Sequence, residues 1–470
     1  MNDNVPSSIG PREWLEADGF GGFASGTSSG IRTRRYHALL LTATTPPTGR
    51  IVLVNGFDAW VETASGTFSL SSQCYAPDVL GGDGAQRIEA FGWEQWPHWL
   101  FKLEDGTRIE LELFVVKGEP TTCLSWKLLG PRKEVKLHVR PFLSGRDYHS
   151  LHKSNPAFRF DAEVKPDRVS WQPYHDVPGV TALTNGACSH QSNWYYNFIY
   201  EEERARGPDC EEDLAAPGIL SWNLSDGKAA LVLTTKEHAA ASLPASVKPV
   251  ELLNKLRAAE QKRRDQFPSR LLRAADTYIV QRAGTSNSDS VRSKTIIAGY
   301  PWFTDWGRDT LIALRGLCLA TRRLDEARDI LLARAATVSE GMLPNRFPDQ
   351  GGQPEFNAVD ASLWFVIALH EFLQAAQKER LALNGDRKKL LAAVEAILDG
   401  YDKRTRFGIR AESDGLLACG VPDVQLTWMD ARELSPHPEP AKVPSLLRRR
   451  FQSRVSGRLR PVHDHRRSCR

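Results

Sequence analysis

No stretch of this chain approaches the roughly 18 consecutive apolar residues needed to cross a bilayer as a helix. Its seven cysteines (Cys74, Cys123, Cys188, Cys210, Cys318, Cys419 and Cys469) are odd in number, scattered, and never spaced as CxxC. The first absence argues against a membrane partner, the second against a disulfide framework. The opening MNDNVPSSIGPREW lacks both the basic and the apolar segment of a secretion signal. These features predict a cytoplasmic protein with reduced thiols. An excess of one charge sign is missing too: 61 Lys and Arg face 57 Asp and Glu, which leaves no footprint for nucleic acid. No Walker A sequence occurs. Gly19–Ala24 (GFGGFA) formally matches a dinucleotide fingerprint, but PREWLEAD before it is no buried strand and no βαβ unit follows, so its glycines are expected to serve tight turns. The pairs His149/His152 and His463/His465 lack a surrounding Cys or carboxylate set, so neither a metal nor a cofactor is expected. Oligomeric state is not legible.

What is present fits a globular protein of two or three domains: 470 residues, 41% hydrophobic and 25% charged. Residues 1–245 read as β-rich. Alternation marks Arg108–Val115 and Val135–Val139, and short apolar runs at Ile51–Val54, Ile219–Leu224 and Ala229–Thr234 are bounded by turns. Many short strands without intervening helices predict a sandwich. Helical patterns take over at Leu252–Phe267, a charged connector, and continue through Leu271–Val280, Asp309–Ala320, Leu324–Val338, Val359–Gln377 and Lys388–Leu398. Phe365, Leu369, Phe372 and Ala376 form one apolar stripe among them. Thr285–Lys294 is a polar loop. Residues 433–470, with ten Lys or Arg against three Asp or Glu and clustered Pro, read as a divergent, basic, disordered tail.

Ala298–Gly316 (AGYPWFTDWGRDTLIALRG) concentrates chemistry. Trp302, Phe303 and Trp306 offer flat apolar faces; Asp305, Arg308 and Asp309 offer charged hydrogen-bonding groups. A sugar, apolar on its ring faces and ringed by hydroxyls, calls for that mixture. A Trp-rich loop knotted by an internal Asp–Arg pair would look the same. Trp93, Trp96 and Trp99 present a similar choice between a glycan-stacking strip and sheet packing, and packing is the expectation.

Asp360 lies in FNAVDASLWF. With Asn357 as helix N-cap, Asp360 falls at the third helical position. It would then either satisfy orphan N–H groups or serve as a general acid near Trp364 and Phe356. The two roles conflict, because a helix N-terminus lowers a carboxyl pKa and a general acid needs it raised. Burial or neighbouring carboxylates (Asp305, Asp309, Glu355) would have to prevail.

Several long strings resemble bacterial and archaeal glycogen debranching enzymes of the amylo-α-1,6-glucosidase type. They are Glu13–Leu41, Arg140–Leu151 and Trp194–Gly218, then GYPWFTDWGRDTLIALRG, Met342–Phe365 and LTWMDA (Leu426–Ala431). The resemblance spans about residues 12–432. It implies a mixed β plus α fold, with an N-terminal β-sandwich-like domain followed by an (α/α)6 barrel. It implies hydrolysis of α-1,6-linked glucose at glycogen branch points with inversion. It also implies Asp360 as the general acid, with Asp305, Trp306, Arg308 and Asp309 binding sugar beside Trp302, and with Trp428 and Asp430 lining the same pocket.

On this reading residues 246–284 are a helical linker and first barrel helix, and residues 285–432 a partial glucosidase domain whose barrel is incomplete. The family pattern is expected to end after Arg432, which leaves the general base unmatched and predicts a truncated, impaired copy. Two alternatives remain: a non-catalytic glycan-binding protein that holds branched α-glucan, and a related sandwich-plus-barrel disaccharide phosphorylase.

Overall fold

The computed structural model describes residues 12–130, 134–207, 209–283, 293–347, 353–421 and 424–428. The polar loop over most of Thr285–Lys294, residue Asp430 and the basic tail lie outside them. The chain forms two compact units, one of residues up to 283 together with Gly299–Trp302, the other of residues 284–298 and from Phe303 onward.

The first unit is built on antiparallel sheet. Its longest strands, Thr48–Thr63 and Val135–Asp147, pair with Leu137 opposite Val61 and Val139 opposite Ala59 at the centre of a 12-stranded sheet. A second sheet of eight strands contains Arg108–Val115, Thr121–Leu129 and Ala229–Thr235. Both strands foreseen from alternation are present, and the three short apolar runs also lie in strands. Leu53, Val61, Leu137 and Val139 of the first sheet share one buried cluster with Leu111, Leu113, Leu124, Trp126 and Leu231 of the second. The two sheets therefore pack face to face around a common core.

The residues between those positions in the second sheet face the other way. Phe114, Cys123, Ala230 and Val232 form a separate cluster with Leu252 and Leu253. These leucines belong to the helix Pro249–Arg264. Burial on both faces explains why Ala229–Thr234 reads as an unbroken apolar run rather than an alternation. The charged helix is part of the first unit, as are the helix Arg270–Tyr278, read in sequence as a first barrel helix, and the strand Ile279–Arg282 that follows it.

The glycines of GFGGFA sit in the turn between the strands Glu13–Ala17 and Phe23–Thr27. Gly21 has φ of +100°, and a Cβ at Gly22 would fall 2.3 Å from the Asp18 carboxylate and 2.5 Å from the Leu41 carbonyl. Only glycine fits there. Trp96 and Trp99 are buried, in keeping with sheet packing, while Trp93 is 44% exposed.

The second unit is mainly helical: Gly307–Leu314, Leu324–Ala335, Ala361–Lys378 and Asp386–Lys403 pack against one another. The stripe Phe365, Leu369, Phe372 and Ala376 is buried as the spacing required. Gly341 and Gly400 bring two backbones together so closely that a Cβ on either would lie 2.6–2.7 Å from the other's Cα.

Candidate functional site

The short strand Phe303–Asp305 runs into the helix Gly307–Leu314, so Asp305 and Arg308 lie on either side of its entry. Two contacts pin this turn. Gly307 N donates to the Asn345 carbonyl at 2.7 Å, and Arg308 N donates to Asn345 Oδ1 at 3.3 Å. A side chain at residue 307 would collide with the Pro344 carbonyl, 2.4 Å from its Cβ, so glycine in WGRD is a packing requirement.

Asp305 is 1% exposed. It accepts a hydrogen bond from Thr295 Oγ1 at 2.7 Å and forms an ion pair with Arg334, which is equally buried. Thr310 also accepts a bond from Arg334. This carboxylate anchors the strand to the helix Leu324–Ala335 from behind the site.

Arg308 projects differently. Its Nε donates to both carboxylate oxygens of Asp360, at 2.9 and 2.8 Å, with both side chains mostly buried. Asp360 is the residue just before the helix Ala361–Lys378, one turn later than the Asn357 cap predicts, and its carboxylate makes no cap bond. The reason is long-range. Val359 N donates to the Leu426 carbonyl at 2.8 Å, and the Tyr401 hydroxyl donates to the Val359 carbonyl at 2.7 Å. These ties hold residues 357–359 out of the helix, and Arg308 captures the carboxylate.

Asp309 stands beside this pair. Burial pushes its carboxyl pKa up, with the negative charge of Asp360 adding to the effect and the Arg308 guanidinium opposing it. Two carboxyl groups thus lie near one guanidinium that, among the described residues, bonds Asp360 alone. Two buried polar atoms here have no hydrogen-bond partner among the described residues, Arg308 Nη2 and Asn357 Oδ1. One is a donor and the other an acceptor, each of a kind that a hydroxyl satisfies.

Trp306 is half-buried, with Arg346 over its ring at 5.7 Å and Phe303 edge-on at 6.1 Å. Trp428 is 59% exposed, two residues beyond the Leu426 tie to Val359. Trp302 belongs to the first unit, where Arg34 and Arg206 lie over its ring at 5.5 and 5.2 Å and Tyr36 meets its edge. Adjacency in sequence had grouped it with Trp306, but the chain changes unit between residues 302 and 303. The structure therefore gathers Arg308, Asp309 and Asp360, keeps Trp306 at the same helix entry, and places Asp305 behind. Asn345 and Arg334, which orient these residues, carry no local sequence signal.

The N-terminal glycogen debranching enzyme family model matches residues 12–231, and the amylo-alpha-1,6-glucosidase model matches residues 273–442. The second match runs past Arg432, where the resemblance was expected to end. Over 84 residues the chain is 40% identical to the glycogen debranching enzyme of Saccharomyces cerevisiae, a stretch amounting to 17% of this chain and 5% of the yeast protein. Among solved structures, a bacterial glucoamylase complexed with acarbose aligns with a TM-score of 0.38 at 12% identity, covering 90% of this chain and 72% of the other. A protein described as a kojibiose phosphorylase from the human microbiome aligns at 0.37 and 11% identity, covering 85% and 57%. With both family models matched in chain order, the protein belongs to the glycogen debranching enzyme family.

Proposed function

We propose that this chain acts on branched α-glucan and that its second unit, part of an (α/α)6 barrel, carries the chemistry of α-1,6-glucoside hydrolysis. The observation that supports this most is the convergence of Arg308, Asp309 and Asp360 where the two helices Gly307–Leu314 and Ala361–Lys378 begin, with Arg308 Nη2 unpaired among the described residues. In this proposal Asp360 is the general acid. Arg308 holds its carboxyl group in the structure, and in the proposed complex Arg308 turns to the sugar hydroxyls and leaves that carboxyl group to the glycosidic oxygen. Arg308 and Asp309 hold the glucose ring by hydrogen bonds, and Trp306 supplies an apolar face. Trp428 and Asp430 would extend the same surface. Inversion needs an acid and a base roughly 6.5–9.5 Å apart. The residues assigned here supply the acid of that pair.

The hold of Arg308 Nε on both oxygens of Asp360 favours a second reading, glucan binding without cleavage, because it occupies the carboxyl group that would have to meet the glycosidic oxygen. One experiment separates the two. Glucose release from glycogen limit dextrin and retardation in glycogen affinity gels would be measured for the wild-type chain and for Asp360→Asn. General acid catalysis contributes about 10²–10⁴-fold, so hydrolysis predicts a loss of that size with retardation retained. Retardation with no glucose release from either protein supports binding alone. A folded wild-type chain that does neither refutes both.

A further inference from the structure

The first unit contains a cavity of about 410 Å³ that the glucosidase reading does not use. The strand Glu13–Ala17 and the helix Arg270–Tyr278 contribute to its wall, and five cations line it: Lys117, Arg263, Arg264, Arg270 and Arg273. Four of them have carboxylate partners. Arg264 bonds Glu16 and Glu260, Arg263 bonds Glu260 and Asp276, Lys117 lies 3.5 Å from Asp276, and Arg270 lies 3.3 Å from Glu94.

Arg273 differs. Among the described residues its guanidinium donates to neutral oxygens alone, Gln95 Oε1 at 3.0 Å and the Glu94 carbonyl. Dehydration and the charges of Arg264, Arg270 and Arg263 push its pKa down, and the nearby charge of Glu16 only partly opposes them. The opposite character comes from Trp93, whose 44% exposed indole is oriented by a 3.4 Å bond from Nε1 to Glu16, and from the rings of Tyr278 and Tyr300.

We infer that this cavity is a second binding site, selective for a phosphorylated hexose, with Arg273 taking the phosphate and Trp93 covering the sugar ring. The volume lies within the roughly 300–1,000 Å³ of ordinary small-molecule sites and exceeds what a bare oxyanion needs. A guanidinium that bonds no carboxylate among the described residues is the natural fork for phosphate, and an accessible indole is the natural face for a pyranose. This inference rests on the first unit alone and stands or falls separately from the glucosidase proposal.

Isothermal titration of the full chain tests it, with glucose 1-phosphate, glucose and inorganic phosphate as separate probes. Glucose 1-phosphate should bind with a heat that depends on Arg273 and Trp93, any heat from glucose should be indifferent to both, and inorganic phosphate should bind about ten-fold more weakly or less well still. A charge-assisted bond is worth about 1.5–3 kcal/mol, so Arg273→Gln should weaken the sugar phosphate by about ten-fold or more, and Arg273→Lys should recover part of that. Trp93→Ala, at an accessible position, should weaken glucose 1-phosphate but not phosphate, and it carries the test alone if Arg273→Gln fails to fold. Trp306→Ala should leave glucose 1-phosphate binding unchanged. The inference is overturned if a folded chain gives no heat with glucose 1-phosphate. It is equally overturned if phosphate binds as tightly as the sugar phosphate, if Trp93→Ala changes nothing, or if Trp306→Ala abolishes binding.

Discussion

Arg334 and Asp305 form an ion pair in which each side chain is only 1% exposed. Removing either member leaves the other as a buried charge without its counter-ion, at a cost of about 3–5 kcal/mol. Arg334→Met and Asp305→Ala should therefore each lower the denaturant midpoint of the second unit sharply, and the double variant should lose less than the sum. A wild-type unfolding curve for Asp305→Ala would show that this carboxylate faces ligand instead.

Arg308→Gln tests the local electrostatics. Burial holds the Asp309 carboxyl above the usual range, and Arg308 is the charge that opposes it. Without that charge Asp309 should titrate at higher pH still, readable as a shift in its carboxyl carbon-13 NMR titration. An unmoved or falling midpoint would mean that Arg308 does not sense Asp309.

Asp18 makes stability depend on pH. Burial raises its carboxyl from 3.8 to about 6 in the folded protein. The folded state therefore holds this proton more tightly than the unfolded chain, and its contribution is complete below about pH 4 and declines as the pH rises to about 6. The interval corresponds to about 3 kcal/mol. Asp18→Asn should raise the melting temperature at pH 7, gain little at pH 4, and flatten the profile between them. A variant that is less stable at pH 7 would contradict this.

Gly400→Ala should be destabilising by about 1–3 kcal/mol despite favouring helix, because its Cβ has no room beside Gly341. Thermal melts of Gly400→Ala and of the exposed control Gly385→Ala measure the difference. Equal melting temperatures would show that the two backbones separate without cost.

Much of the scaffold was legible because burial imposes a period. Arg108–Val115 alternates since one face meets the shared core, and Phe365, Leu369, Phe372 and Ala376 recur at helical spacing since one face is packed. The packing of the charged helix Pro249–Arg264 was not legible, because two leucines, Leu252 and Leu253, are enough to seat it on the sheet and their signal drowns among ionised neighbours.

At the site the residue types were legible and their grouping was not. Asp360 was placed three positions into its helix because Asn357 is a good local cap, while the ties from Leu426 and Tyr401 that overrule it come from more than 40 residues away. The choice of Arg334 as the partner of Asp305, rather than Arg308, is equally non-local. Such pairings have no periodicity to betray them.

The excursion of Gly299–Trp302 into the first unit has a consequence for dissecting the protein. The ring of Tyr300 packs edge-on against Phe23 and lies 5.1 Å from the buried guanidinium of Arg50, which in turn donates to the Pro301 carbonyl at 3.1 Å. A fragment ending at Ala283 would retain every strand of both large sheets but strip Arg50 of that acceptor and of one aromatic neighbour. The two regions recognised as separate family segments are thus not beads on a string. A later piece of chain completes the earlier unit, so shuffling, swapping or expressing the N-terminal half alone would have to carry residues 299–302 with it.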